Sequence, residues 1–78
     1  MRAPSRPLNP LLLQHVERSG QKKHALSRNA GYPFYTSLYD ALHSEKVQAT
    51  PLAVARLERV ADAIGFPREN IFLDGAAS

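Results

Sequence analysis

The sequence predicts an all-α fold: a compact domain of five helices over residues 9–73, a short flexible N-terminal arm at residues 1–8, and a disordered tail at residues 74–78. Three observations lead there. Apolar residues recur at three- and four-residue spacing in successive segments that glycines separate, the periodicity of helices with one buried face. Asn9-Pro10 and Thr50-Pro51 each set an N-capping side chain before a proline suited to the first helical position. The chain has 78 residues and no cysteine, so one small core must hold it together without a disulfide or a thiolate metal site.

The elements follow in order. Pro4 and Pro7, with Pro10 just beyond, remove backbone donors and block a helix at the N-terminus, which reads as an extended arm carrying Arg2 and Arg6. Asn9 opens the first helix, in which Leu12, Leu13 and Val16 share a face; Gly20 closes it, with Arg18 near the negative end of the dipole. A second helix runs from about Gln21 to Ala30 with Ala25, Leu26 and Ala30 inward, and Gly31 stops it in a left-handed conformation. Pro33 biases Tyr32 away from helix. The third helix runs from about Phe34 to His43, with Leu38, Ala41 and Leu42 inward and Thr36, Tyr39, Asp40 and His43 outward. Residues 44–49 form a polar connection. Thr50 then caps the clearest helix, striped by Leu52, Leu57, Val60, Ala61 and Ile64 and ended by Gly65. Phe66 to Phe72 makes a short fifth helix whose Ile71 and Phe72 seal the core.

Charge is uneven along the chain. Residues 1–48 hold seven basic side chains against three acidic ones, a net of +4, while residues 49–78 hold three against four, a net of −1. The excess points to a polyanion bound by the N-terminal half, or to ordinary solvation of a soluble surface. No apolar run approaches the roughly 18 residues of a membrane span, and the first residues lack the apolar core of a secretory signal, so the expected compartment is the cytoplasm. His15, His24 and His43 lack the close spacing of zinc ligands. Nothing sets a nucleophile beside a base, and so short a chain has little room for a walled pocket. An enzyme, a cofactor and a small-molecule ligand are therefore not expected.

The unit at residues 21–43 joins two short helices by a glycine turn, the arrangement of a helix-turn-helix. In that motif the second helix enters the major groove and the first crosses the backbone. The outward face of the third helix is polar and aromatic, which suits base edges, and the cations lie on the helix before it, where phosphates would be.

Leu26-Ser27-Arg28-Asn29-Ala30-Gly31-Tyr32, then Leu38 and Ala41, Thr50-Pro51, Leu57 with Val60-Ala61 and Ala63-Ile64-Gly65, and Ile71-Phe72 together resemble the Cro/repressor-type (lambda-repressor-like) helix-turn-helix domain over about residues 10–73. Ala25-Leu26-Ser27-Arg28, Gly31-Tyr32 and Ser37-Leu38 are also similar to the Ner-like phage regulators. The resemblance implies five helices and operator binding by the third. Two departures accompany it. The buried aliphatic after the turn is Leu38, one residue later than usual, so Tyr32-Pro33-Phe34-Tyr35 holds an extra residue. Lys23 stands where the family often carries a phosphate-binding glutamine.

On this resemblance the chain is expected to be a sequence-specific, double-stranded-DNA-binding transcriptional regulator, a repressor of phage or mobile-element type that works by occupying its operator, as a homodimer on two half-sites. Tyr35, Thr36, Ser37, Tyr39 and Asp40 are the base-reading candidates. Thr36 offers a methyl to thymine and Asp40 an acceptor to cytosine; the plain alternatives are an exposed helix residue for Asp40 and a filler of the longer turn for Tyr35. A register shifted by the extra turn residue would present Phe34, Tyr35 and Ser37 instead. Lys22, Lys23, Arg28, His43 and Lys46 are the phosphate candidates, and Arg2 and Arg6 would follow the minor groove as an arm. Ile71, Phe72 and Leu73 are the candidate dimer surface. The competing expectation is an antitoxin-type protein-interaction module with secondary DNA binding.

Overall fold

The computed structural model describes residues 4–74. The order of elements is β1 (Ser5–Pro7), α1 (Pro10–Arg18), α2 (Lys23–Ala30), α3 (Tyr35–His43), β2 (Lys46–Gln48), α4 (Pro51–Ile64) and a single 3-10 turn (Arg68–Asn70). Four α-helices and a two-stranded antiparallel sheet replace the expected five-helix, all-α architecture.

The capping signals work as their chemistry requires. The Asn9 side chain accepts from the Leu11 N–H at 3.0 Å, and Thr50 Oγ1 accepts from the Ala53 N–H at 3.1 Å, each ahead of its proline. Gly31 and Gly65 end α2 and α4 at φ 91° and 75°, a region that costs other residues a steric clash. Gln21 stays outside α2, and its Nε2 donates to the Ala63 carbonyl at 2.7 Å. Leu12, Leu26, Leu38, Leu57, Val60 and Ile71 form the centre of the core, one or two from each helix plus the C-terminal turn. Two inward assignments fail: Ala25 is exposed, and Leu52 is 60% exposed while Val54 packs against the core in its place.

The flexible-arm expectation is corrected at residues 4–8. Ser5, Arg6 and Pro7 pair with Gln48, Val47 and Lys46, and an isolated bridge joins Leu8 to Phe72. The Pro4 carbonyl accepts from the Ala49 N–H at 2.9 Å and the Pro7 carbonyl from the Leu73 N–H at 2.8 Å; the Leu8 N–H donates to the Glu45 carbonyl at 2.8 Å. Both prolines enter through their carbonyls, so their missing donors cost nothing, and extended backbone suits their fixed φ. Leu8 is buried beneath this ribbon. The polar connection at residues 44–49 accordingly contains β2, with Val47 half-buried.

The fifth helix is also corrected. Pro67 is extended at ψ 131°, and only Arg68–Asn70 turn. Phe66, Ile71 and Phe72 are all buried, yet Phe66 and Ile71 would lie roughly 140° apart on one α-helix. The short turn lets all three face the core and delivers Phe72 to Leu8. Of the tail, Asp74 lies in a turn and accepts two hydrogen bonds from Arg6; residues 75–78 lie outside the described residues.

Candidate nucleic-acid interface

α2 and α3 pack together and α2 lies across α4, so the surface formed by the start of α2 and the outer face of α3 rests on the core through Leu26, Leu38 and Leu42. The i, i+4 spacing of Leu38 and Leu42 turns the opposite side of α3 to solvent. Thr36 and Asp40 are exposed there; Tyr35, one turn before Leu38 on the inward side, is exposed at the start of the helix, Ser37 and Tyr39 are half-buried, and the Ser37 N–H donates to the Phe34 carbonyl at 3.1 Å.

Aromatic contacts join the two helices. The His24 ring meets Tyr35 edge to face at 4.5 Å between centroids, and Lys23 Nζ lies 4.5 Å from the centre of the Tyr39 ring. Tyr39 and His43 follow one another along α3 at 6.0 Å. Lys23 and Tyr39, assigned to phosphate and base, are therefore neighbours, and Tyr39 shares one side of its ring with the ammonium. Between α2 and the turn lies an open groove of about 450 Å³ lined by His24, Ser27, Arg28, Tyr32, Pro33, Phe34, Tyr35 and Thr36.

The first turn of α2 has no acidic residue, and its N-cap Lys22 makes no side-chain capping bond. Lys22, Lys23 and His24 thus gather at the positive end of the helix dipole, the unfavourable end for a cation. The ion pairs among the described residues are Arg6–Asp74, Arg68–Asp62 and Arg68–Glu58; Lys22, Lys23 and Arg28 take part in none of them. His43 and Lys46 sit elsewhere, on the rim of a second groove of about 520 Å³ whose floor includes Leu8, Leu13 and Leu42.

Arg6 is not presented as an arm. Its Nε and Nη2 donate to the Asp74 carboxylate at 2.8 and 2.7 Å, and its guanidinium covers Phe72 at 4.2 Å. Arg6 holds the Asp74 carboxyl below its ordinary value by those hydrogen bonds, as Arg68 does for Asp62. Arg2 lies outside the described residues. Of the candidate dimer surface, Ile71 and Phe72 are core, and Leu73 alone stays 60% exposed.

Sequence reasoning missed two features of this region. Arg59 reaches the turn, with Nη1 3.5 Å from the place where a Cβ on Gly31 would sit, and Arg56 stacks near Tyr32 at 5.2 Å from its ring centre. Phe34, read as the start of the third helix, is its N-cap and is 69% exposed. The helical period placed neither, because both depend on how α4 and the turn meet.

Comparison with family models, curated proteins and solved structures finds no match to this chain. No helix among the described residues is long and apolar enough to cross a membrane.

Proposed function

We propose that this chain is a sequence-specific double-stranded-DNA-binding regulator that represses by occupying an operator, with α3 in the major groove and the start of α2 on the phosphate backbone. The observation that carries the reading is the set Lys22, Lys23 and Arg28, which share no ion pair with a carboxylate among the described residues; Lys23 lies against Tyr39 of α3, and Arg28 lines one groove with the exposed Tyr35 and Thr36. Lys22 and Lys23, at the wrong end of the α2 dipole, are accommodated by an anion brought from outside, and DNA supplies a periodic row of them. Asp40 on the same face opposes phosphate and therefore reads as a base contact, through cytosine N4. Such a protein acts in the cytoplasm, where a bacterial or phage operator is. A homodimer on two half-sites completes the proposal, with exposed Leu73 and the groove beside Leu13 and Leu42 as the surface available for it.

The same groove favours a second reading, a protein-interaction module of antitoxin type, because its floor is apolar and Leu73 stands at its edge. Salt separates the two, since phosphate contacts weaken steeply with salt and apolar contacts do not.

The test is competitive binding to a duplex selected from a random pool and to its scrambled counterpart, across a salt series. Joint Lys22→Ala and Lys23→Ala substitution lowers affinity for both duplexes and reduces the log–log salt slope by about 1 per lost contact. Thr36→Ala and Asp40→Ala leave scrambled-duplex binding intact and cost about 1–3 kcal/mol each on the selected duplex. An unchanged slope together with an unchanged selected-to-scrambled ratio defeats the proposal.

A further inference from the structure

Phe34 is badly placed for stability on two independent counts. It is the N-cap of α3, at φ −140° and ψ 150°, where a phenyl ring accepts no hydrogen bond from the first helical turn. Serine, threonine, asparagine or aspartate would. It is also 69% exposed in a chain whose other two phenylalanines, Phe66 and Phe72, are buried. Lys22 also makes no capping bond and Leu52 and Leu73 are also exposed, but Phe34 combines both faults and is the most exposed large apolar side chain among the described residues, which marks a place where binding rather than folding sets the side chain.

The surroundings narrow what is bound. Pro33 precedes Phe34, and Pro33, Phe34 and Tyr35 are all exposed at the tip of the turn. They border the groove that His24, Arg28 and Thr36 also line, and Arg28 takes part in no ion pair among the described residues. An apolar ring in one groove with the Arg28 guanidinium matches a polyanion that carries an apolar group near its phosphates. In the major groove that group is the C5-methyl of thymine, the one hydrocarbon feature on a base edge and a known partner for an apolar side chain. We propose that Phe34 is a specificity-determining residue that packs on a thymine methyl, so that the sequence bound contains a thymine at the position facing the first turn of α3. This rests on the DNA-binding reading above and adds to it a residue and a base.

The experiment replaces each thymine of the selected duplex, one at a time, by deoxyuridine, which removes only the methyl. The parent chain and the Phe34→Ser variant are titrated against every duplex at one salt concentration. Serine is chosen because it restores an N-cap, so the variant melts at or above the parent temperature and misfolding does not imitate the result. At one thymine, the parent loses about fourfold in affinity on methyl removal, the factor that corresponds to one buried methyl, and Phe34→Ser loses nothing there. A parent indifferent to deoxyuridine at every position overturns the assignment, as does a variant that keeps the same fourfold loss. Both results leave the salt-dependent preference for the selected over the scrambled duplex standing, so the DNA reading survives them. If the pool yields no enriched sequence, that reading falls and the thymine contact with it.

Discussion

Tyr32 sits behind the turn that presents the candidate interface, with Gly31 before it and Arg56 beside its ring. Burial pushes its phenol up from 10.0 to about 12, against a smaller opposing pull from Arg56. The folded chain therefore holds the proton more tightly than the unfolded chain does. The stability this contributes is complete below the unfolded value of 10.0 and is lost as pH rises toward about 12. Melting temperatures recorded from neutral to strongly alkaline pH are expected to fall more steeply in the parent than in Tyr32→Phe above the unfolded value; parallel curves would show that the phenol is not buried. Tyr32 also shows how far single residues were legible. Its departure from helix followed from Pro33, but its burial depends on α4, whose distance along the chain gives no local signal. The same holds for Tyr39, which reads as an outward residue by period and is half-covered by Lys23 from another helix.

At the scale of elements, the signals that worked were those whose physics is local. Asn9, Thr50, Gly31 and Gly65 cap the helices they announce, because a cap needs only its own turn of backbone. The strands were illegible for the opposite reason. Each has three residues, too few to show alternation, and each exists only through a partner some forty positions away. The fifth helix was over-read because Ile71 and Phe72 were correctly taken as core, and core was equated with helix. The turn between α2 and α3 offers a direct measure of this local logic. Gly31 lies at φ 91°, and an added Cβ would meet Arg59 only at an ordinary contact distance of 3.5 Å. Gly31→Ala thus costs backbone strain rather than a collision, about 1–2 kcal/mol. Denaturant titration checks it, and an unchanged midpoint would mean the turn relaxes out of the left-handed region. Since this turn also sets the angle between α2 and α3, the same variant is expected to weaken binding to the selected duplex more than to its scrambled counterpart.

Across the whole molecule, the two ends of the described chain are closed onto each other. β1 lies between β2 and the C-terminal turn: the Pro4 carbonyl bonds toward Ala49, the Pro7 carbonyl toward Leu73, and the Asn9 N–H donates to the Ile71 carbonyl at 2.9 Å. Arg6 adds a bidentate clasp on Asp74 and covers Phe72. A flexible arm and a structural strand make opposite forecasts for a variant lacking residues 2–7. Loss of an arm leaves the melting transition in place and lowers DNA affinity by its phosphate contacts alone. Loss of β1 removes the ladder to β2, leaves the Ala49 and Leu73 N–H groups without their partners and uncovers Phe72. Backbone hydrogen bonds at about 0.5–1.5 kcal/mol each put that loss at about 2–4 kcal/mol, before the exposed ring is counted. A chain of 78 residues has a margin of only about 5–10 kcal/mol to lose it from, so the deletion is expected to lower the midpoint of a urea titration clearly while most of the chain stays folded in buffer. Arg6→Ala in the full-length chain removes the clasp and the cover on Phe72 but keeps the backbone ladder, and because the ion pair is in contact with solvent its effect is expected to be smaller than that of the deletion. A deletion variant with the parent's midpoint would return residues 4–7 to the role of a tether and free Arg6 for the minor groove.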